Sequence, residues 1–298
     1  MRSDVKAIVR NGLVLILFHV VLLEPGLAGA AVTGPLFPNP VIDVWATGIV
    51  VGEFNGDGHP DVAIGDRATG EVVIKPGRGN GTFAPERRYP IGYGIGQLVL
   101  GDFNGDGHQD LAVLDEGFPL FVNQGAISVL LGLGDGSFAP QSPLAVGLAP
   151  KSATVGDFNG DGRQDLAVLK VCATNSQCDT GEILVLIGAG DGTFASSAPY
   201  PAAVEPISIV SGDFNGDGHL DLIVGSTNTH FPATAYELSL LLGNGDGTFG
   251  AEIPTGRPFS GSGPIAVGDF NGDGKPDLAV SGFKGSSVTK REIGRAHV

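Results

Sequence analysis

Two cysteines, one methionine and one tryptophan stand among 298 residues. A scaffold held by many disulfides is thereby excluded. Basic residues are also scarce: 17 Lys and Arg face 32 Asp and Glu, a net charge of −15. Nucleic acid is therefore not expected as a partner, because binding phosphates needs a basic face. Long apolar runs are missing too. The best of them, Leu13 to Leu23, falls short of the roughly 20 residues of a spanning helix. There is no H-E-x-x-H, no G-x-S-x-G and no P-loop of the kind that carries hydrolytic or phosphate chemistry. Nothing marks the chain as an enzyme, and no catalytic residue is expected.

The short apolar run has a different meaning in its context. Arg2, Lys6 and Arg10 precede or open it, and Ala28-Gly29-Ala30 follows it. Positive start, apolar middle and small-residue site are the order of a secretory signal peptide. Residues 1–30 are expected to be removed, leaving a chain with no membrane insertion. The expected location is outside the cell, at its surface or in the periplasm. In that compartment Cys172 and Cys178, in the loop VCATNSQC, are expected to close a disulfide; a free pair or a metal site are the alternatives.

What is abundant is glycine, at 49 residues, well above the average share of about 7%. Short Val-, Ile- and Leu-rich runs lie between Gly, Asp and Asn clusters. That texture is all-β. It is also periodic. GEFNGDGHPDVAI starts at Gly52, GDFNGDGHQDLAV at Gly101, GDFNGDGRQDLAV at Gly156, GDFNGDGHLDLIV at Gly212 and GDFNGDGKPDLAV at Gly268. The steps between their first acids are 49, 55, 56 and 56 residues. A second motif follows the first four: GRGNGTF at Gly77, GLGDGSF at Gly132, GAGDGTF at Gly188 and GNGDGTF at Gly243. Such a period fits one four-stranded propeller blade per repeat.

In the second repeat, strands are expected from Gln97 to Gly101, Asp110 to Leu114, Ile127 to Leu131, and Phe138 towards Val146. The link between second and third strands varies most, and variable loops on a fixed scaffold are where binding specificity resides. Phe118, Phe121, His230, Phe231 and Tyr236 fall in or beside these links. Aromatic rings with polar neighbours suit a sugar or a protein hot spot.

The acidic loop carries the chemistry. Counting from its first acid, oxygen-bearing side chains recur at positions 1, 3, 5 and 9. They are Glu53, Asn55, Asp57 and Asp61; Asp102, Asn104, Asp106 and Asp110; Asp157, Asn159, Asp161 and Asp165; Asp213, Asn215, Asp217 and Asp221; and Asp269, Asn271, Asp273 and Asp277. Calcium takes six to eight oxygen ligands, and this spacing can wrap a loop around one ion. Position 7, held by His59, His108, Arg163, His219 and Lys275, is expected to offer its backbone carbonyl with the side chain turned away. An EF-hand would need Glu at position 12, where Ile64, Val113, Val168, Val224 and Val280 stand. Two carboxylates about 5 Å apart repel by roughly 3 kcal/mol at an effective dielectric near 20, so three oppose loop closure by at most about 10. Turn formation alone explains the glycines but not acids at positions 1, 5 and 9 five times over. One Ca2+ per loop, up to five, is the expectation. The first site is the least regular, since Glu53 brings a longer arm.

The loop DFNGDGxxDLAV followed by GNGDGTF resembles the FG-GAP repeat, also called a VCBS-type repeat, which builds the integrin α-subunit propeller. The resemblance spans Ala46 to Phe283. It implies a β-propeller of four-stranded blades with calcium in the loop between a blade's first two strands, and no single activity. Four complete repeats and a partial fifth imply an incomplete, truncated ring over residues 31–283. The ending Ile293-Gly-Arg-Ala-His-Val298 is what ATCGGAAGAGCACACGTC, a string used in sequencing adapters, would encode. Residues 284–298 are thus expected to be an irregular tail from read-through. Two functional readings follow. One is a secreted, calcium-binding, non-catalytic binding or adhesion module for an extracellular glycan or protein. The other is the propeller scaffold of a secreted polysaccharide-acting enzyme whose catalytic part lies beyond this chain's C-terminus.

Overall fold

The computed structural model describes residues 46–117, 125–147, 149–171, 181–197, 199–202, 205–228, 235–255, 265–280 and 293–294. All of them belong to one compact unit, Asn39–Val298. The expected signal peptide, the Cys172–Cys178 pair and Phe118, Phe121, His230 and Phe231 lie outside the described residues, and Tyr236 is described by its backbone alone.

Every regular element among the described residues is a strand. The first sheet holds β1 (Ala46–Gly52), β2 (Asp61–Asp66), β3 (Glu71–Lys75) and β4 (Arg87–Pro90). The second holds β5 (Ile95–Gly101), β6 (Asp110–Asp115), β7 (Gly125–Gly132), β8 (Phe138–Pro140) and β9 (Leu144–Gly147). The third holds β10 (Pro150–Gly156), β11 (Asp165–Lys170), β12 (Gly181–Gly188), β13 (Phe194–Ser196) and β14 (Tyr200–Ala202). The fourth holds β15 (Pro206–Gly212), β16 (Asp221–Asn228), β17 (Ala235–Leu241) and β18 (Ile253–Pro254). The fifth holds β19 (Ile265–Gly268), β20 (Asp277–Val280) and β21 (Ile293–Gly294). Each sheet is an antiparallel meander in chain order, as a propeller blade is.

The expected single fourth strand is two strands in the second and third blades. Both β8 and β9 pair with β7, and both β13 and β14 pair with β12. Pro143 and Pro199 sit between the halves. Proline has no N–H for the ladder and is tolerated on an edge strand, where Pro140 and Pro201 also sit.

The core lies between consecutive blades rather than on one side of each. In β11, Leu166 and Val168 pack towards the second blade, while Ala167 and Leu169 pack towards the fourth. In β6, Leu111 and Val113 face the first blade, and Ala112 and Leu114 face the third. Side chains alternate faces along a strand, so a strand buried on both faces reads as an unbroken apolar run. The repeated DLAV segments are those runs. Adjacent first strands also touch, tied by side chains: Thr47 Oγ1 donates to the Ile95 carbonyl (2.7 Å), and Gln97 Oε1 accepts from Ala153 N (2.8 Å).

Candidate functional site: the acidic loops

All five acidic loops join the first two strands of a blade, so β-pairing on both sides fixes their ends. Within the second loop, Asp102 accepts N–H bonds from Gly105 (2.8 Å) and Asp106 (3.1 Å) on one oxygen and from Gly107 (3.0 Å) on the other. Asn104 accepts from Asp106 N, and Asp106 from His108 N. The third, fourth and fifth loops repeat the set around Asp157, Asn159 and Asp161, around Asp213, Asn215 and Asp217, and around Asp269, Asn271 and Asp273. These are Asx turns, which favour the backbone that Gly at positions 4 and 6 allows. The backbone N–H bonds hold Asp106, Asp217 and Asp269 below the usual carboxylate range.

The first loop departs from this pattern where its sequence does. Glu53 uses one oxygen for Asn55 N (3.2 Å) and Gly56 N (2.8 Å), and no bond from it to Gly58 N is present. Its extra methylene moves the carboxylate along the turn. Asn55 and Asp57 keep their places, bonded to Asp57 N and His59 N.

Position 9 does something different. Asp61, Asp110, Asp165, Asp221 and Asp277 are buried. In the first four loops one oxygen accepts from the N–H of the position-2 Phe and the other from the Gly that opens the glycine-rich turn. For Asp165 the partners are Phe158 N (2.9 Å) and Gly188 N (2.8 Å), and for Asp110 Phe103 N and Gly132 N, both at 2.7 Å. Asp61 and Asp221 repeat this with Phe54 and Gly77, and with Phe214 and Gly243. Asp277 keeps the Phe270 bond, and Asn271 takes the second oxygen. Burial pushes the Asp110, Asp165 and Asp221 carboxyls up against the pull of these two N–H bonds, and the neighbouring acids of each loop add to the rise. This carboxylate is a strap between the two repeated motifs.

That strap explains why the motifs travel together. A Cβ on Gly188 would stand 2.2 Å from the Gln164 carbonyl, so only glycine lets the third strand approach the loop. Position 7 explains a second glycine. The exposed His108 ring lies over Gly134, where a Cβ would come within 2.4 Å of it and φ is +74°. His59 and His219 lie likewise over Gly79 and Gly245, and Arg163 lies over Gly190. Lys275 is exposed, and its N–H bonds Asp273.

The first three loops are also roofed by the following blade. Phe54, Phe103 and Phe158 meet Phe138, Phe194 and Phe249 edge to face at 5.4, 5.5 and 5.6 Å. Beside each pair a turn N–H, from Gly136, Gly192 or Gly247, donates to the Phe54, Phe103 or Phe158 carbonyl at 2.7, 3.0 and 2.8 Å. Gln109 and Gln164 complete the joint by accepting from Glu53 N and Asp102 N. Sequence reasoning missed these glutamines. Their signal is the replacement of Pro60, Leu220 and Pro276 by Gln at position 8.

The donor set of positions 1, 3 and 5 is all oxygen, the class a hard cation such as calcium takes. The two acids and the Asn of each loop turn onto one short stretch of backbone. Among the described residues, no three His, Cys, Asp or Glu side chains gather as a finished ion site. Position 9 is set apart by burial: its carboxylate is buried with both oxygens engaged, whereas the acids at positions 1 and 5 are not buried.

No curated protein matches the chain. A solved Agrocybe aegerita lectin, whose structure describes specific recognition of non-reducing terminal N-acetylglucosamine, is similar at 22% identity and a TM-score of 0.46. The match covers 68% of this chain and 50% of the lectin, so this chain spans about half that protein's length. A likeness at that level says nothing of what this chain binds. The FG-GAP-like repeat family matches residues 53–113, 120–168, 171–224 and 229–280, taking in all five acidic loops. With that coverage, and with a strapped loop and turn in one antiparallel blade after another, the chain belongs to the FG-GAP-like repeat family.

Proposed function

We propose that this chain is a secreted, non-catalytic binding module whose acidic loops take calcium and whose variable links between second and third strands take an extracellular glycan or protein. The observation that carries the reading is the recurrence, five times, of an all-oxygen loop with acids at positions 1 and 5 turned onto the same short backbone. Asp102, Asn104 and Asp106, with the His108 carbonyl, would hold the ion in the second blade, and their counterparts in the others. Calcium supplies charge neutralisation there. The chain's own residues supply the rest: Asp110 and its counterparts hold loop to turn, and the following blade's Phe closes over them.

Strands and loops that repeat nearly unchanged offer every partner the same surface, so selectivity is assigned to the links that differ. Phe121→Ala and Tyr236→Ala are each expected to abolish capture on a glycan or cell-surface screen, with melting temperature and bound calcium unchanged. Variants that still capture the ligand, or that lose capture and stability together, would contradict this assignment.

A further inference from the structure

We propose that Gln109 and Gln164 are positioning residues for the ion of the preceding blade's loop, so that calcium uptake there and docking of the next blade are coupled; this rests on the proposed uptake of calcium by these loops. From position 1 to position 3, each loop carries two candidate ligands with a Phe between them. In the second loop, three backbone groups of this stretch are held. Asp102 N–H donates to Gln164 Oε1 (2.7 Å), Phe103 N–H donates to Asp110 (2.7 Å), and the Phe103 carbonyl accepts from Gly192 N–H (3.0 Å). Two of the three partners belong to the third blade. The first loop repeats the arrangement: Glu53 N–H donates to Gln109 Oε1 (2.8 Å), Phe54 N–H to Asp61, and Gly136 N–H to the Phe54 carbonyl. The residue that brings the position-1 carboxylate is thus anchored at its own N–H by the following blade.

Position 8 decides whether this anchor exists. A Cβ on Gly52 or Gly101 would collide with the amide oxygen of Gln109 or Gln164, and one on Gly156 would collide with Leu220 Cδ1. Leu220 of the fourth blade therefore fills the place that the glutamines fill, but its side chain has no acceptor to offer Asp157 N. Pro276, at position 8 of the fifth blade, has none either. The third loop keeps the rest of the joint, with Phe158 against Phe249 and Gly247 N–H on the Phe158 carbonyl. At this joint Gln164 and Leu220 differ by one acceptor. A bond that fixes the position-1 residue in advance removes an ordering cost that ion binding otherwise meets. The coupling is reciprocal: what the next blade adds to the ion's affinity, the ion adds to the docking of that blade.

Hydrogen exchange of the full chain, read peptide by peptide across a series of free calcium concentrations, tests this. Each loop yields its own midpoint of calcium-dependent protection. Gln164→Leu, the side chain that the fourth blade carries in this place, should raise the second loop's midpoint by roughly 3- to 10-fold, the worth of one neutral hydrogen bond. The third and fourth loops should not move. Leu220→Gln should lower the third loop's midpoint by a similar factor. In the wild type, calcium should also slow exchange in the peptide carrying Gly192, and Gln164→Leu should shrink that slowing. Thermal melting in chelator checks that the variants fold, and Gln109→Leu, read at the first loop, replaces Leu220→Gln if that one does not. Calcium-dependent protection with midpoints that ignore the substitutions overturns the proposal and leaves calcium uptake standing. A rise of every midpoint together in Gln164→Leu shows general destabilisation and overturns it too. Absence of calcium-dependent protection in all loops overturns the uptake of calcium, and the proposal with it.

Discussion

Asp165→Ala is expected to lower the stability of the chain by about 2 to 6 kcal/mol. Its carboxylate accepts Phe158 N–H and Gly188 N–H in a fully buried setting. Truncation leaves both donors without partners, and each unpaired buried donor costs about 1–3 kcal/mol. Asp161→Ala in the same loop is the control. Its side chain is exposed and holds the Arg163 N–H, with Asn159 bonded to it. Without calcium it should cost no more than about 1 kcal/mol. Urea unfolding in chelator measures both. Equal losses for the pair would show that the strap role assigned to position 9 is wrong.

Phe158→Ala should be comparably damaging, and in a different way. The ring is buried, meets Phe249 edge to face and belongs to the cluster between third and fourth blades. Deleting a buried Phe costs about 3–5 kcal/mol. In a stacked array, stability is a sum of blade terms and nearest-neighbour interface terms, so the loss falls on one interface. Unfolding is expected to split into two steps, with amides of the fourth and fifth blades exchanging before those of the first two. Phe270→Ala, at a half-exposed position, should cost under about 1 kcal/mol. A single cooperative transition in Phe158→Ala, with uniform loss of protection, would contradict blade-wise coupling.

The blade period, the strand runs and the acidic positions were legible in the sequence because each is local. The apolar run in DLAV and the Asn-Gly and Asp-Gly turns act over a few residues, and the repeat displays them several times over. Position 9 looked equivalent to positions 1 and 5 because all are acids at regular spacing. Its separate role depends on Gly188, which lies 23 residues further on and meets it only once the third strand has paired. The glycine-rich turn read as a turn alone for the same reason: its first Gly is set by the Gln164 carbonyl, and its second by the position-7 side chain. Pro143 and Pro199 were visible, but an outer strand can break at a proline and still pair on both sides of it. Gln109 and Gln164 escaped notice because their partners, Glu53 N and Asp102 N, belong to the preceding blade.

Direct titration decides whether the acidic loops hold calcium. Chain stripped with chelator and titrated with calcium should bind about one ion per loop, up to five, since a hard divalent cation suits the oxygens at positions 1, 3 and 5. Asp161→Ala and Asp217→Ala should each bind one ion fewer. Changing Glu53 should matter less, because its carboxylate already engages fewer N–H groups than the aspartates do. Melting temperature should rise on titration, as binding to the folded state requires, and magnesium should raise it less. A chain that takes up no calcium, with the same melting curve in chelator and in calcium, would show that the five loops are turns held by their own backbone.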